Sequence, residues 1–244
     1  MSNVAIAITP NESAIFTTLR AFLLGILPAG TPVIQAQQNR APEPQQGDFV
    51  IMTPLTSLRL ATNIDTAVDA YFQGAISGTT LTVSEVAYGS LNVGSPVYGS
   101  GVAPGTSITA LAGGTGGVGA YTINISQSAP LAPMAGGVNA ILQKQEFHVQ
   151  LDVHGPNSAN NAKTIATLFR DEYAYNQFNP PVSGVAPLYA DAPAQRPFIN
   201  DQDQYEWRWV LELHMQINQT VTLGQQFFDV ATLTLVEIDA AYPG

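Results

Sequence analysis

LQKQEFHVQLDV, residues 142–153, is the stretch on which the reading of this chain turns. From Phe147 it alternates: Phe147, Val149, Leu151 and Val153 fall on one side, His148, Gln150, Asp152 and His154 on the other. A period of two marks a strand with one buried face. HGPNSANN follows as a turn-rich connector, and then a helical pattern covers 162–173, with Ala162, Ile165, Ala166, Phe169 and Tyr173 on one face. Ser158 or Asn160 is placed to cap it. Upstream lies a segment of quite different composition, so 142–153 reads as the point where a core domain resumes after an interruption.

That interruption runs from Gly74 to Gly137. It holds 14 of the 21 glycines, one charged residue (Glu85) and no Lys or Arg. Its β-prone runs, Thr79 to Val86, Val93 to Tyr98, Ser107 to Ala110 and Ala120 to Ser126, are separated by pieces such as GSGVAPGTS. A Gly-rich linker would not carry such runs, so 74–137 is expected to be an inserted, small all-β module within a core made of 1–73 and 138–244.

The core begins with a helix. Thr9, Pro10 and Glu12 form a Thr-x-x-Glu capping box with proline at the first helical position. Ile15, Leu19, Phe22, Leu23 and Ile26 then make one apolar stripe, stopped by Pro28 and Gly30. Short strands are expected at 32–35 and 48–53, the second ended by Pro54, and another from Leu58 through Ile64. Residues 176–203 carry five prolines and little periodicity, which predicts a long functional loop ordered by a neighbour. From 207 to 218, Trp207, Trp209, Leu211, Leu213, Met215 and Ile217 alternate with polar residues, a strand about 40 Å long that needs its edge covered. A last strand is expected at 229–237. The fold class is therefore α+β, a mainly antiparallel sheet with two helices on one face, plus the β module.

Charged residues are only 11% of the chain, against a usual share of about 25%. The net charge of −10, with eight basic residues scattered along the sequence, argues against a nucleic-acid grip. There is no cysteine, hence no disulfide, thiolate nucleophile or Cys-based zinc site. No signal peptide or membrane span is visible, so a soluble protein made in a cytoplasm is expected.

No catalytic constellation is read, and no enzyme activity or cofactor is expected. His148, Asp152, His154 and His214 are the one group that suggests a metal. His148 and His154 lie six residues apart, roughly 20 Å along a strand, and His154 with Asp152 is an incomplete site. No metal site is therefore assigned; a metal, if found, would point first to Asp152, His154 and His214. GTGGVG lacks the Lys-Ser/Thr of a phosphate-binding loop. The pairs Asp201/Asp203 and Asp171/Glu172 read as solvated surface, and the glycosylation-like patterns at Asn124 and Asn218 carry no meaning in a cytoplasmically made protein.

The core resembles the neck or tail terminator proteins of contractile-tailed bacteriophages. The stretches that carry the resemblance are LRAFLLGILPAG (19–30), VIQAQQNRAPEPQQGDFVIMTPL (33–55), RLATN (59–63) and QEFHVQLDVHGPNSANNA (145–162). The Gly-rich part is similar to β modules of other phage structural proteins, and as an insert it departs from members that run straight between the flanking strands. The resemblance implies a structural virion protein forming a ring, usually a hexamer, at the head–tail junction. There it would terminate the tail tube, meet tube, sheath and head completion or connector proteins, and let DNA pass without specific binding. The alternative is an exterior binding module whose β insert recognises a glycan or partner protein, with Tyr88, Tyr98 and Tyr121 as candidate contacts.

Overall fold

The alternating stretch lies at the end of a strand far longer than itself. The computed structural model describes residues 7–36, 44, 47–178, 184–199 and 205–224. In chain order these form β1 (Ala7–Thr9), α1 (Glu12–Ile26), β2 (Val33–Gln35), β3 (Phe49–Arg59), β4 (Ile64–Gly89), β5 (Val97–Gly99), β6 (Ile108–Ala110) and β7 (Gly119–His154). There follow α2 (Ser158–Phe169), α3 (Glu172–Phe178), β8 (Val185–Ala190), β9 (Ala194–Gln195), β10 (Phe198–Ile199), β11 (Tyr205–Glu206) and β12 (Arg208–Gly224). The strand expected at 229–237 and the pair Asp201/Asp203 lie outside the described residues.

The described residues group into two compact units. One comprises Ala7–Asp65 and Ile141–Val221, the other Thr66–Ala140 with 222–224. The first contains the order β1-β12-β7-β3-β2, with β8 and β9 also paired to β12. The β3–β7, β8–β12 and β9–β12 pairs are antiparallel; β2–β3 is parallel. Its core joins Ile15, Leu19, Phe22 and Leu23 of α1, Ala162, Ile165 and Phe169 of α2, and Ala174 and Phe178 of α3 to one face of the strands. On that face stand Val149, Leu151 and Val153 of β7 and Leu211, Leu213, Met215 and Ile217 of β12, with Phe147 and Trp209 partly buried against them; Trp207, expected in the same set, precedes β12 and is exposed. The sheet thus has three helices where two were expected, and it is predominantly antiparallel.

Several boundaries differ from expectation, each for a local reason. Asn11, not Thr9, caps α1: its Oδ1 accepts from Ala14 N at 2.9 Å, while Thr9 ends β1. Pro54 does not end β3, because the β3–β7 register shifts between Pro54 and Ser57, and a proline without an N–H is tolerated at such an irregularity. The strand expected from Leu58 to Ile64 is instead interrupted between Arg59 and Ile64. The second helix breaks before Tyr173 because Asp171 Oδ1 accepts from Tyr173 N at 2.9 Å and caps a new helix, α3. Neither Ser158 nor Asn160 caps α2. Asn157 stands at that position, with its backbone N and side-chain Nδ2 both donating to the Asp48 carboxylate at 2.9 Å. The proline-rich stretch is not one loop: its described residues supply β8 and β9, which pair with β12.

The second unit has its own core of Phe72, Ile76, Leu81, Val83, Leu91, Tyr121, Ile123 and Met134 with smaller neighbours. Strands β4, β5 and β6 pair with β7, with Val97 opposite Gly136 and Ile108 opposite Ile123. Straight, β4 would place Asp69 and Gly89 roughly 65 Å apart. Yet Gly89 sits against the Asp69 carbonyl, and Ser84 Oγ donates to Gln73 O at 3.3 Å. The strand therefore doubles back near Gly78, whose φ is +62°. The composition changes at Gly74 and Gly137 fall inside β4 and β7.

Candidate functional site

The face of the first unit's sheet turned away from the apolar core is polar and organised. Glu146, His148, Gln150, Asp152 and His154 of β7 share it with Arg208, Glu212, His214 and Gln216 of β12, which is hydrogen-bonded to β7. Alternation puts these residues on one face; pairing decides which of them meet.

His148 and His214 meet. Their ring centroids are 4.1 Å apart. The Tyr189 ring stacks on His214 at 4.0 Å, because β8 pairs with β12 in the register that sets Tyr189 opposite His214. Carboxylates surround the pair. Glu146 Oε1 lies 2.9 Å from His214 Nδ1 and 3.2 Å from His148 Nε2, and it accepts from Tyr189 Oη at 3.3 Å. Glu212 Oε1 lies 2.7 Å from His148 Nδ1. Asp191 Oδ1 is 3.7 Å from His214 Nε2, and its backbone N donates to Glu212 O at 2.8 Å.

Asp152 and His154 do not join this cluster. Asp152 accepts from Arg208 Nε at 2.8 Å and from Gln150 Nε2 at 2.9 Å. His154 stacks on Phe49 at 4.5 Å with ring planes 5° apart, as their register in the β3–β7 ladder requires. The trio Asp152, His154 and His214 is therefore the wrong grouping. Glu146, Glu212, Asp191 and Tyr189 were not singled out in the sequence. A signal existed for two of them: Glu146-Phe-His148 and Glu212-Leu-His214 are the same Glu-x-His spacing on two strands, which places acid and imidazole on one face.

The electrostatics follow from this packing. The hydrogen bond from His214 is the main influence holding the Glu146 carboxyl below its ordinary range; partial desolvation opposes it, and His148 and the Tyr189 hydroxyl add to the lowering. Desolvation, then the charge of Glu146, pushes the Tyr189 phenol up. A carboxylate whose folded pKa is depressed stabilises the fold above its unfolded pKa, and that contribution disappears as pH falls through the folded value. Thermal unfolding below about pH 5 is expected to show a shallower loss of stability with acid in Glu146→Gln than in the parent. Equal slopes would mean that Glu146 is not held this way.

The other candidates separate by burial. Tyr121 is fully buried in the second unit's core and donates to Gly117 O, so it offers nothing to a ligand. Burial pushes the Tyr98 phenol up. Tyr88 is exposed beside Tyr71, their rings stacked with centroids 6.0 Å apart. Asp171 is occupied as a helix cap. A groove of about 310 Å³ between α1 and β2–β3 is lined by Ser13, Thr17, Arg20 and Gln35 among others, and the Arg20 Nε is bound to Val33 O at 2.9 Å. Among the described residues, no helix is long and apolar enough to cross a membrane.

The first unit is thus a helix-backed sheet with a polar reverse face. The family described as phage neck terminator protein matches residues 117–240, a little over half of the chain, and the chain belongs to that family. Membership is consistent with a structural role in the virion. The matched region contains β7 through β12; it includes the 145–162 stretch that suggested the resemblance and leaves out the stretches before residue 64. No curated relative matches the chain.

Proposed function

We propose that the protein is a non-enzymatic neck component that assembles as a homo-oligomeric ring, six-fold by family resemblance, at the head–tail junction of a phage. The ring closes the tail tube and joins it to head completion or connector proteins, with the sheath as a further neighbour, and DNA passes through its centre. Residues 74–137 are a β module carried by the terminator core. Family membership carries this reading.

Two features of the chain support it. The net charge of −10 and scarcity of Lys and Arg suit a channel that must not hold duplex DNA. Among the large apolar side chains that the first unit exposes, two groups stand close in sequence: Leu55, Leu58, Leu60 and Ile64 around the end of β3, and Tyr205 and Trp207 before β12. Large exposed apolar groups that cluster in this way are typical of docking surfaces. The edges of β12 are used within the subunit, by β7 on one side and by β1, β8 and β9 on the other. Subunit contacts are therefore assigned to these two exposed places, in place of the β12 edge and the 176–203 stretch.

The test is the mass of the purified protein, alone and with tail tube protein, together with direct imaging of assembled particles. A closed ring in the particle neck and weak retardation of duplex DNA at low salt are the expected results. A strictly monomeric species in imaged particles would rule out the ring, and tight DNA binding would rule out the channel.

A further inference from the structure

We propose that Glu146, His148 and His214 bind one divalent transition-metal ion of the zinc class, tying β7 to β12 in the first unit. The three residues place ligand atoms within 4.8 Å of one another. Tetrahedral zinc with bonds of about 2.0–2.1 Å sets its ligand atoms roughly 3.3–3.4 Å apart. The separations here are 3.2 Å from Glu146 Oε1 to His148 Nε2 and 2.9 Å from Glu146 Oε1 to His214 Nδ1. Both are slightly shorter than that spacing, and the third separation, between the two imidazoles, is within the same 4.8 Å.

The contact geometry favours a cation at this place. His148 Nδ1 lies 2.7 Å from Glu212 Oε1 and its Nε2 lies 3.2 Å from Glu146 Oε1, so both ring nitrogens face carboxylate oxygens. His148 Nε2 and His214 Nε2 are both buried without a hydrogen-bond partner, and His214 is only 6% exposed. The outer groups complete the pattern of a metal site. Glu212 orients His148, Asp191 stands 3.7 Å from the far nitrogen of His214, and the Tyr189 ring covers His214. Metal-bound histidines usually give their second N–H to such a carboxylate.

Charge points the same way. Glu146, Glu212 and Asp191 gather around two imidazoles, and their ion pairs among the described residues are all with His148 or His214, none with Lys or Arg. Two imidazoles with a carboxylate select zinc, cobalt, nickel or copper over magnesium and calcium. The Glu146 side chain keeps 19% of its surface accessible, so the cluster is not sealed from solvent.

The test uses the full-length protein stripped with a chelator and titrated with Zn²⁺ and Co²⁺. One equivalent of zinc per chain, a rise in melting temperature, and Co²⁺ absorption of tetrahedral intensity are expected. His148→Ala and Glu146→Gln should each weaken zinc binding at least about tenfold, while His154→Gln leaves it unchanged. Because His214 is buried, His214→Ala is judged by binding per folded molecule, and the two less buried variants decide the matter if it fails to fold. No saturable zinc binding would overturn the proposal. So would binding that survives both His148→Ala and Glu146→Gln, or an equal response to Mg²⁺ or Ca²⁺. None of these outcomes bears on the ring, which is read from mass and imaging.

Discussion

Gly155→Ala is expected to lower the stability of the protein by about 2–4 kcal/mol, whereas Gly25→Ala should change it by less than about 1 kcal/mol. Gly155 ends β7 with φ at +102°, a region that side chains with a Cβ rarely adopt. An added Cβ would lie 2.6 Å from Gly47 O and 2.7 Å from Asp48 Cα, both backbone atoms. The backbone cannot retreat easily, because Gly155 N donates to Trp207 O at 3.1 Å and Gly155 O accepts from Ser158 N at 3.0 Å. The Asp48 side chain is committed as well, to both nitrogens of Asn157. Strain and clash therefore add at one position that joins β3, β7, α2 and β12. Gly25 sits in the last turn of α1 with open space where its Cβ would go, so only helix propensity changes and the effect is small or stabilising. Urea denaturation of the two variants beside the parent measures both. Equal effects would show that the 155 turn is not the constraint described.

That turn also shows what the sequence could and could not convey. The alternation of 147–153 and 209–217 carried over to the structure because a period of two reports burial directly. The helix faces of 15–26 and 162–169 carried over for the same reason at their own period. What was misread depended on rival local signals. Thr9 and Asn11 both offer a side-chain oxygen ahead of the same helix, and the chain uses the second. Asp171 reads as solvated surface until the cap it makes is seen. Pro54 looks like a stop unless the partner strand shifts register beside it. The prolines of 176–203 hid three short strands: β12 recruits β8 and β9 through its own backbone, and β10 pairs with β11, so no side-chain pattern of their own is needed.

The polar face was legible in part. Spacing along one strand correctly separates His148 from His154, but it says nothing of which strands become neighbours. His214 was visible as a candidate and was attached to the wrong partners. Only the β7–β12 pairing, and the β8 register that brings Tyr189 over His214, turn two Glu-x-His spacings into one cluster.

Leu58→Asp combined with Leu60→Asp is expected to convert the proposed ring to single subunits, a sixfold fall in mass for a hexamer, with the circular dichroism of the fold unchanged. Leu58 and Leu60 are each 50% exposed and stand between the similarly exposed Leu55 and Ile64. The corner is held in shape by a backbone and a side-chain hydrogen bond: Leu60 N donates to Lys144 O at 3.0 Å, and the Arg59 side chain donates from Nε to Ala61 O at 2.8 Å. Aliphatic groups kept in water by a fixed corner gain free energy only when another surface covers them, by about 25 cal/mol for each Å². An aspartate there costs little in the free subunit, where it remains hydrated. In an assembled ring it would be buried against an apolar partner without a counter-charge, and removing such a charge from water costs several kcal/mol. That penalty recurs at every interface and adds to the repulsion among chains that already carry −10 each. Leu131→Asp is the control, because Leu131 is 63% exposed in the other unit and should leave the mass as it is. If the double variant keeps the parent's mass, the 55–64 corner is not the subunit interface. If the parent itself is monomeric in assembled particles, the ring is wrong and the corner serves another partner.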